Sequence, residues 1–163
     1  MASEDPVSLA FRARALAQAH ALSPAANRLL NRAVAEEAST QPRPELGAWA
    51  GAALTQGYCL RRVQEDGDPT ANDAAATGGD DLDHLDELDR AAVAQAAELR
   101  TGTGDDVTVA ALDLLVGAQV EQRLEPWRDE LDDGTCAELE QYLAWWVVKG
   151  YGLRVAETSR RPP

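Results

Sequence analysis

The pentapeptide Gly57-Tyr58-Cys59-Leu60-Arg61 returns 93 residues downstream as Gly150-Tyr151-Gly152-Leu153-Arg154, and Glu45-Leu46 returns at the same spacing as Glu138-Leu139. Two of the chain's three tyrosines thereby coincide. Upstream, Ala25-Ala26, Leu29-Leu30, Ala33 and Glu36 match Ala110-Ala111, Leu114-Leu115, Ala118 and Glu121 at an offset of 85. Before them, Ala15, Ala17, Gln18 and Ala19 match Ala92, Ala94, Gln95 and Ala96 at an offset of 77. The order is collinear, which is the mark of a copied supersecondary unit. Alanine matches carry little weight where Ala fills 31 of 163 positions, so the Gly-Tyr-x-Leu-Arg block carries the reading. The competing account is coincidence among Ala-rich amphipathic helices.

Side-chain types say what the unit is made of. Isoleucine is absent, β-branched apolar residues are few, and Ala and Leu recur at helical spacing, so strands have little to be built from. The expected fold is all-α: a bundle of six to seven helices, arranged as two tandem three-helix repeats about a pseudo-two-fold axis. Asp5-Pro6 and Ser23-Pro24 are cap and first-turn pairs that open helices to about Leu22 and Ser39. After the Gln41-Pro-Arg-Pro44 break, Glu45 to Glu65 reads as the third helix.

Further helices are predicted from near Asp83 to Arg100, from an Asp105 cap to Leu124, from Pro126 to Asp133, and from a cap at Asp133 or Thr135 to Glu157. The helix after Asp105 is apolar almost all round and reads as the central buried element, with Asp113 a carboxylate within it. A single domain of residues 1–163 is expected. Residues 1–65 would form one half, 66–81 an acidic mobile linker, 82–157 the other half, and 158–163 a frayed tail.

Gly57 and Gly150 fall at matched positions inside predicted helices, where glycine costs about 1 kcal/mol relative to alanine. That cost suggests a close approach, so the third and last helices should cross there, with Gly47 and Gly51 supporting the same contact.

Charge removes several functions. Fifteen basic residues against 28 acidic ones give −13, a balance that repels phosphate backbones and anionic lipid surfaces, so neither nucleic acid nor membrane is an expected partner. Ten of the acidic residues fall between positions 65 and 89, where no Lys or Arg occurs. Carboxylates clustered in a linker suit an acidic nucleic-acid mimic poorly. No secretory signal opens the chain and no apolar stretch is long enough to span a bilayer, so a cytoplasmic location is expected. The Arg and Ala bias points to a GC-rich bacterial genome. Cys59 and Cys136 stand far apart without a CxxC, and read as buried, inert thiols.

No catalytic motif is present, neither a nucleophile elbow nor a phosphate loop nor Glu-x-x-His pairs for a di-metal centre, and no cofactor or metal is expected. Residues 66–73 match an EF-hand loop only at its first and third ligand positions. His84 among Asp80, Asp81, Asp83, Asp86 and Glu87 reads as a solvated helix start.

The matched polar residues Tyr58, Arg61, Tyr151, Arg154, Glu36 and Glu121 form the candidate ligand site, as Tyr and Arg pockets for an anion. The plainer reading makes the arginines partners in rim salt bridges. Trp127, Trp145 and Trp146 are candidate partner-binding aromatics, since adjacent helical residues diverge by about 100° and one of the last two must face away from the core. The function expected is a non-enzymatic protein-interaction or regulatory module, homodimeric or bound to another protein. The alternative is a small-molecule-binding or enzymatic domain with a pocket between the halves.

Overall fold

A computed structural model describes residues 5–19, 21–66, 84–101 and 105–159. Among them are six α-helices and no strand: α1 (Pro6–Gln18), α2 (Pro24–Thr40), α3 (Glu45–Asp66), α4 (Leu85–Arg100), α5 (Asp106–Leu124) and α6 (Asp133–Ser159). A 3-10 turn, Glu125–Trp127, follows α5. The linker expected at 66–81 lies outside the described residues, save Asp66; of the frayed tail expected at 158–163, Thr158 and Ser159 instead continue α6 past Glu157, and 160–163 lie outside the described residues.

Caps explain where the helices begin. The carboxylate of Asp5 accepts the Val7 N–H, Ser23 Oγ accepts that of Ala26, and Asp105 that of Thr108, with Pro6 and Pro24 in the first turn. At α6 the cap is Asp132, which accepts the Thr135 N–H at 2.7 Å, in place of the Asp133 or Thr135 expected. Helix α1 ends at Gln18 rather than Leu22, because the chain must turn extended at Ser23 to cap α2, and Arg62 Nη1 holds the Ala21 carbonyl at 2.9 Å. The helix expected over Pro126 to Asp133 contracts to the three-residue turn.

The centre of the bundle is the α3–α6 pair. Helices α1 and α2 pack on α3, α4 and α5 pack on α6, and α1 also meets α5. Glycine sets the crossing. A Cβ on Gly57 would lie 1.8 Å from the Val147 carbonyl oxygen, and one on Gly150 would lie 1.9 Å from that of Leu54. Each glycine therefore admits the other helix's backbone where any side chain would obstruct it.

Gly47 and Gly51 serve a different contact from the one expected. They admit Val34 and Ala38 of α2, not α6. The placement of α5 also corrects the sequence reading. One face, with Thr108, Ala111, Leu112, Leu115 and Gln119, is buried, while Val109, Asp113 and Leu114 are exposed and Gly117 has open space beside it. Its apolar composition misleads because small residues on α3 and α6 let those two helices approach each other closely, leaving α5 on the flank.

The main core gathers Leu9, Leu29, Leu54, Leu60, Leu115 and Val147 among other side chains, and a smaller cluster of Leu46, Trp49, Leu124 and Leu143 closes one end of α3 and α6. Cys59 and Cys136 are buried and unbridged.

Candidate functional site

Four of the six candidate ligand residues are brought together at the α3–α6 seam. Arg154 Nη1 donates to Tyr58 Oη (3.1 Å) and to Glu157 Oε1 (3.1 Å), Tyr58 Oη donates to the same carboxylate oxygen, and Ser23 Oγ donates to Glu157 Oε2. Tyr58, Arg154, Glu157 and Ser23 are all buried. A second cluster stands beside the first. Arg61 Nη1 donates to Tyr151 Oη (3.2 Å), Tyr151 donates to Gln64 Oε1, and Gln64 Nε2 donates to Thr108 Oγ1 (2.8 Å). Each guanidinium also lies over the ring of the tyrosine it bonds, at 5.5 Å for Arg154 and 5.7 Å for Arg61. Glu65 joins the clusters, accepting from Arg154 Nε at 2.9 Å and from Arg61 Nε at 3.1 Å.

The physics of these clusters is that of internal pairing. A buried guanidinium and carboxylate are tolerated only when each is answered, and here the fork of Arg154 is answered by Glu65, Glu157 and Tyr58. Burial first, and the Glu157 carboxylate second, push the Tyr58 phenol well above its ordinary range. For Arg61, burial works against the charge, but the bonds to Tyr151 and Glu65 outweigh it and raise the pKa. The arginines do not sit at a rim beside Glu36, Glu45, Glu121 or Glu138. Their acidic partners are Glu65 and Glu157, which the matched sequence blocks did not single out, although Arg61–Glu65 and Arg154–Glu157 were readable as i,i+4 and i,i+3 pairs.

Glu36 and Glu121 stand apart from this seam. Glu121 is exposed on α5. Glu36 lines a groove of about 510 Å³ between α2, α4 and α6. Its polar wall carries Glu37, Asp86 and Asp89 as well, with Arg32 and Lys149, and its apolar wall is Leu29, Ala33 and Trp146. Arg32 pairs with Asp86 at 3.0 Å and Lys149 with Asp89 at 2.9 Å, while the Lys149 ammonium sits 4.9 Å from the centre of the Trp146 ring. Glu37 accepts from Tyr142 Oη at 2.7 Å. Burial, and then the Glu37 contact, push the Tyr142 phenol up. Four carboxylates thus face two cations, an excess of negative charge around an indole. Of the lining residues, sequence reasoning named Glu36 and Trp146 for separate sites and Asp86 only as part of the helix start at His84, and did not name Glu37, Asp89 or Lys149, because only packing brings α2 alongside α4 and α6.

Neither of the adjacent tryptophans turns away from the core, as one was expected to, because Trp145 also packs against it. Trp146 is 6% exposed and belongs to the core, Trp145 is half-buried under the Arg100 guanidinium, and Trp127 is 43% exposed. Trp146 therefore reaches a partner only as the floor of the groove. His84 pairs with Glu87 at 3.4 Å, and no group of three or more His, Cys, Asp or Glu among the described residues is placed to hold a metal ion. No described helix is long and apolar enough to cross a membrane. The EF-hand-like segment falls, but for Asp66, outside the described residues.

Comparison with known proteins gives no match: no family profile, curated protein or solved structure resembles this chain closely enough to inform its function.

Proposed function

We propose that the protein is a non-enzymatic interaction module that receives a basic segment of a partner protein in the α2, α4 and α6 groove. The observation that carries this reading is the surplus of carboxylates, Glu36, Glu37, Asp86 and Asp89 against Arg32 and Lys149, around the Trp146 indole. An incoming guanidinium or ammonium would meet Glu36 and Glu37, for which no ion pair is found among the described residues, beside an indole whose face already holds the Lys149 ammonium, surroundings that suit a cation. The Arg32–Asp86 pair is exposed, so exchanging it for a partner's cation costs little. Calorimetric titration with a tri-arginine peptide tests the reading. Glu36→Gln combined with Glu37→Gln should weaken binding about five- to tenfold, the sum of two modest charge contacts. Asp106→Asn combined with Asp113→Asn, which removes two charges from exposed positions of α5, should leave it unchanged. Equal losses in both variants would mean that only the overall charge of −13 attracts the peptide, and the reading would fall.

A second reading, self-association, is favoured by α1. Val7 and Phe11, one turn apart, are 61% and 71% exposed, the two most exposed large apolar side chains among the described residues. Light scattering should then give twice the 17.5 kDa chain mass, and Phe11→Ser should return it to one. A monomer at all working concentrations would remove this reading.

We further propose that the two halves are copies. Support comes from contacts that map on each other at the offset of 93: Gly57 against Val147 and Tyr151, Gly150 against Leu54 and Tyr58. The Arg154–Tyr58–Glu157–Ser23 cluster corresponds in the same way to Arg61–Tyr151–Gln64–Thr108, with Ser23 and Thr108 related by the offset of 85. Exchanging the one ionisable difference, by Glu157→Gln with Gln64→Glu, should give a cooperatively folding protein of near-parental stability. A molten or unfolded product would count against equivalence of the two sites.

A further inference from the structure

A second cavity, of about 340 Å³, opens between α1, α3 and α5 and has the opposite character. Its polar lining is Arg14, Arg123, Thr55 and four glutamines, Gln18, Gln56, Gln119 and Gln122, and no carboxylate lines it among the described residues. In a chain of net charge −13, two guanidiniums without an acidic neighbour in the lining make this a locally cationic site.

The independent observation is a set of unanswered buried atoms. Gln56 Oε1, Gln119 Oε1 and Arg123 Nε are each shielded from solvent and have no hydrogen-bond partner, and all three belong to residues that line this cavity. Gln119 is 1% exposed. Native proteins pair nearly all such atoms, since each orphan forfeits its bonds to water without replacement. Two orphan acceptors and one orphan cationic donor lie in the walls of one cavity, behind its accessible surface, and a guest would meet them by the Gln56 and Gln119 amides turning inward. That guest carries O–H groups for the glutamine oxygens and negative charge for Arg123 and Arg14.

We propose that the α1, α3 and α5 cavity is a binding site for a small organic carboxylate bearing hydroxyl groups. Its volume, near the lower end of the roughly 300–1,000 Å³ usual for small-ligand sites, restricts the guest to a few carbons. The inference is independent of the acidic groove, which shares no residue with it.

Matched pairs of acids test the proposal on the full chain: L-lactate with propionate, L-malate with succinate, and sulfate as an anion without hydroxyl hydrogens. Melting temperature and calorimetry should show that at least one hydroxy acid binds, at least tenfold more tightly than its deoxy counterpart and than sulfate. Gln119→Leu and Arg123→Gln should each abolish that preference. Gln119→Leu also reports on the unliganded fold. Relieving an orphan amide should hold or raise the melting temperature by about 2–4 °C. Four results would overturn the proposal: no binding by either hydroxy acid; equal binding by the deoxy acids or sulfate, which would reduce the site to a non-specific anion contact; hydroxy-acid preference surviving both substitutions; or a lowered melting temperature for Gln119→Leu, which would assign its amide a structural bond.

Discussion

At the scale of single residues, the glycines are not equivalent, and the differences are measurable. Gly57→Ala and Gly150→Ala each drive a methyl group into a backbone carbonyl that has nowhere to retreat, so either should cost about 3 kcal/mol or more, or prevent folding, in chemical denaturation. Gly117→Ala meets nothing within 4 Å and lies inside a helix, so it should stabilise by about 0.5–1 kcal/mol. Arg154→Met leaves the buried Glu157 carboxylate without its cation, and a loss of about 3–5 kcal/mol is expected. Burial also pushes the Cys59 thiol from 9.0 up to about 12, with Arg62 and then Arg154 opposing it, and the Tyr58 phenol rises likewise. Both acids hold their protons more tightly folded than unfolded. The stability they contribute is complete below about pH 9 and drains away as pH rises toward 12, which denaturation midpoints across that window should record.

At the scale of helices, capping and packing were legible to different degrees. Asp5-Pro6 and Ser23-Pro24 announce their helices because cap chemistry is local, and the α3–α6 crossing was readable because a helical glycine needs a reason. What could not be read was which helix flanks which. The apolar α5 looked central, yet exposes Leu114 and Val109, and Gly47 and Gly51 admit α2, because burial depends on contacts distant in sequence. The same limit hid the Arg154–Glu65 pair, 89 residues apart, whereas Arg61–Glu65 and Arg154–Glu157 lie one helical turn apart and were readable. Asp132 offers a test at this scale. Its carboxyl is held below the ordinary 3.8 by the Thr135 N–H it accepts, so the folded state prefers it charged. That contribution is present above about pH 3.8 and is lost as pH falls through the lowered value. Asp132→Asn should therefore melt below the parent at neutral pH, with the two curves converging in strong acid.

At the scale of the whole molecule, the two cavities divide the surface chemistry: an acidic groove on α2, α4 and α6, and a carboxylate-free one on α1, α3 and α5. Neither was visible in the sequence, since each draws on helices from both halves of the chain. The seam that joins those halves is also a matter of timing. Ser23 and Tyr58 take their shared bond acceptor from Glu157, 134 and 99 residues later. At roughly 5–20 residues per second of synthesis, an emerging polypeptide waits about 7–27 seconds between making Ser23 and making its partner. Gly57 of α3 waits 93 residues, about 5–19 seconds, for Gly150, and for that interval it has no mate within its own chain, so neighbouring copies on one messenger would be the nearest surfaces able to fill it.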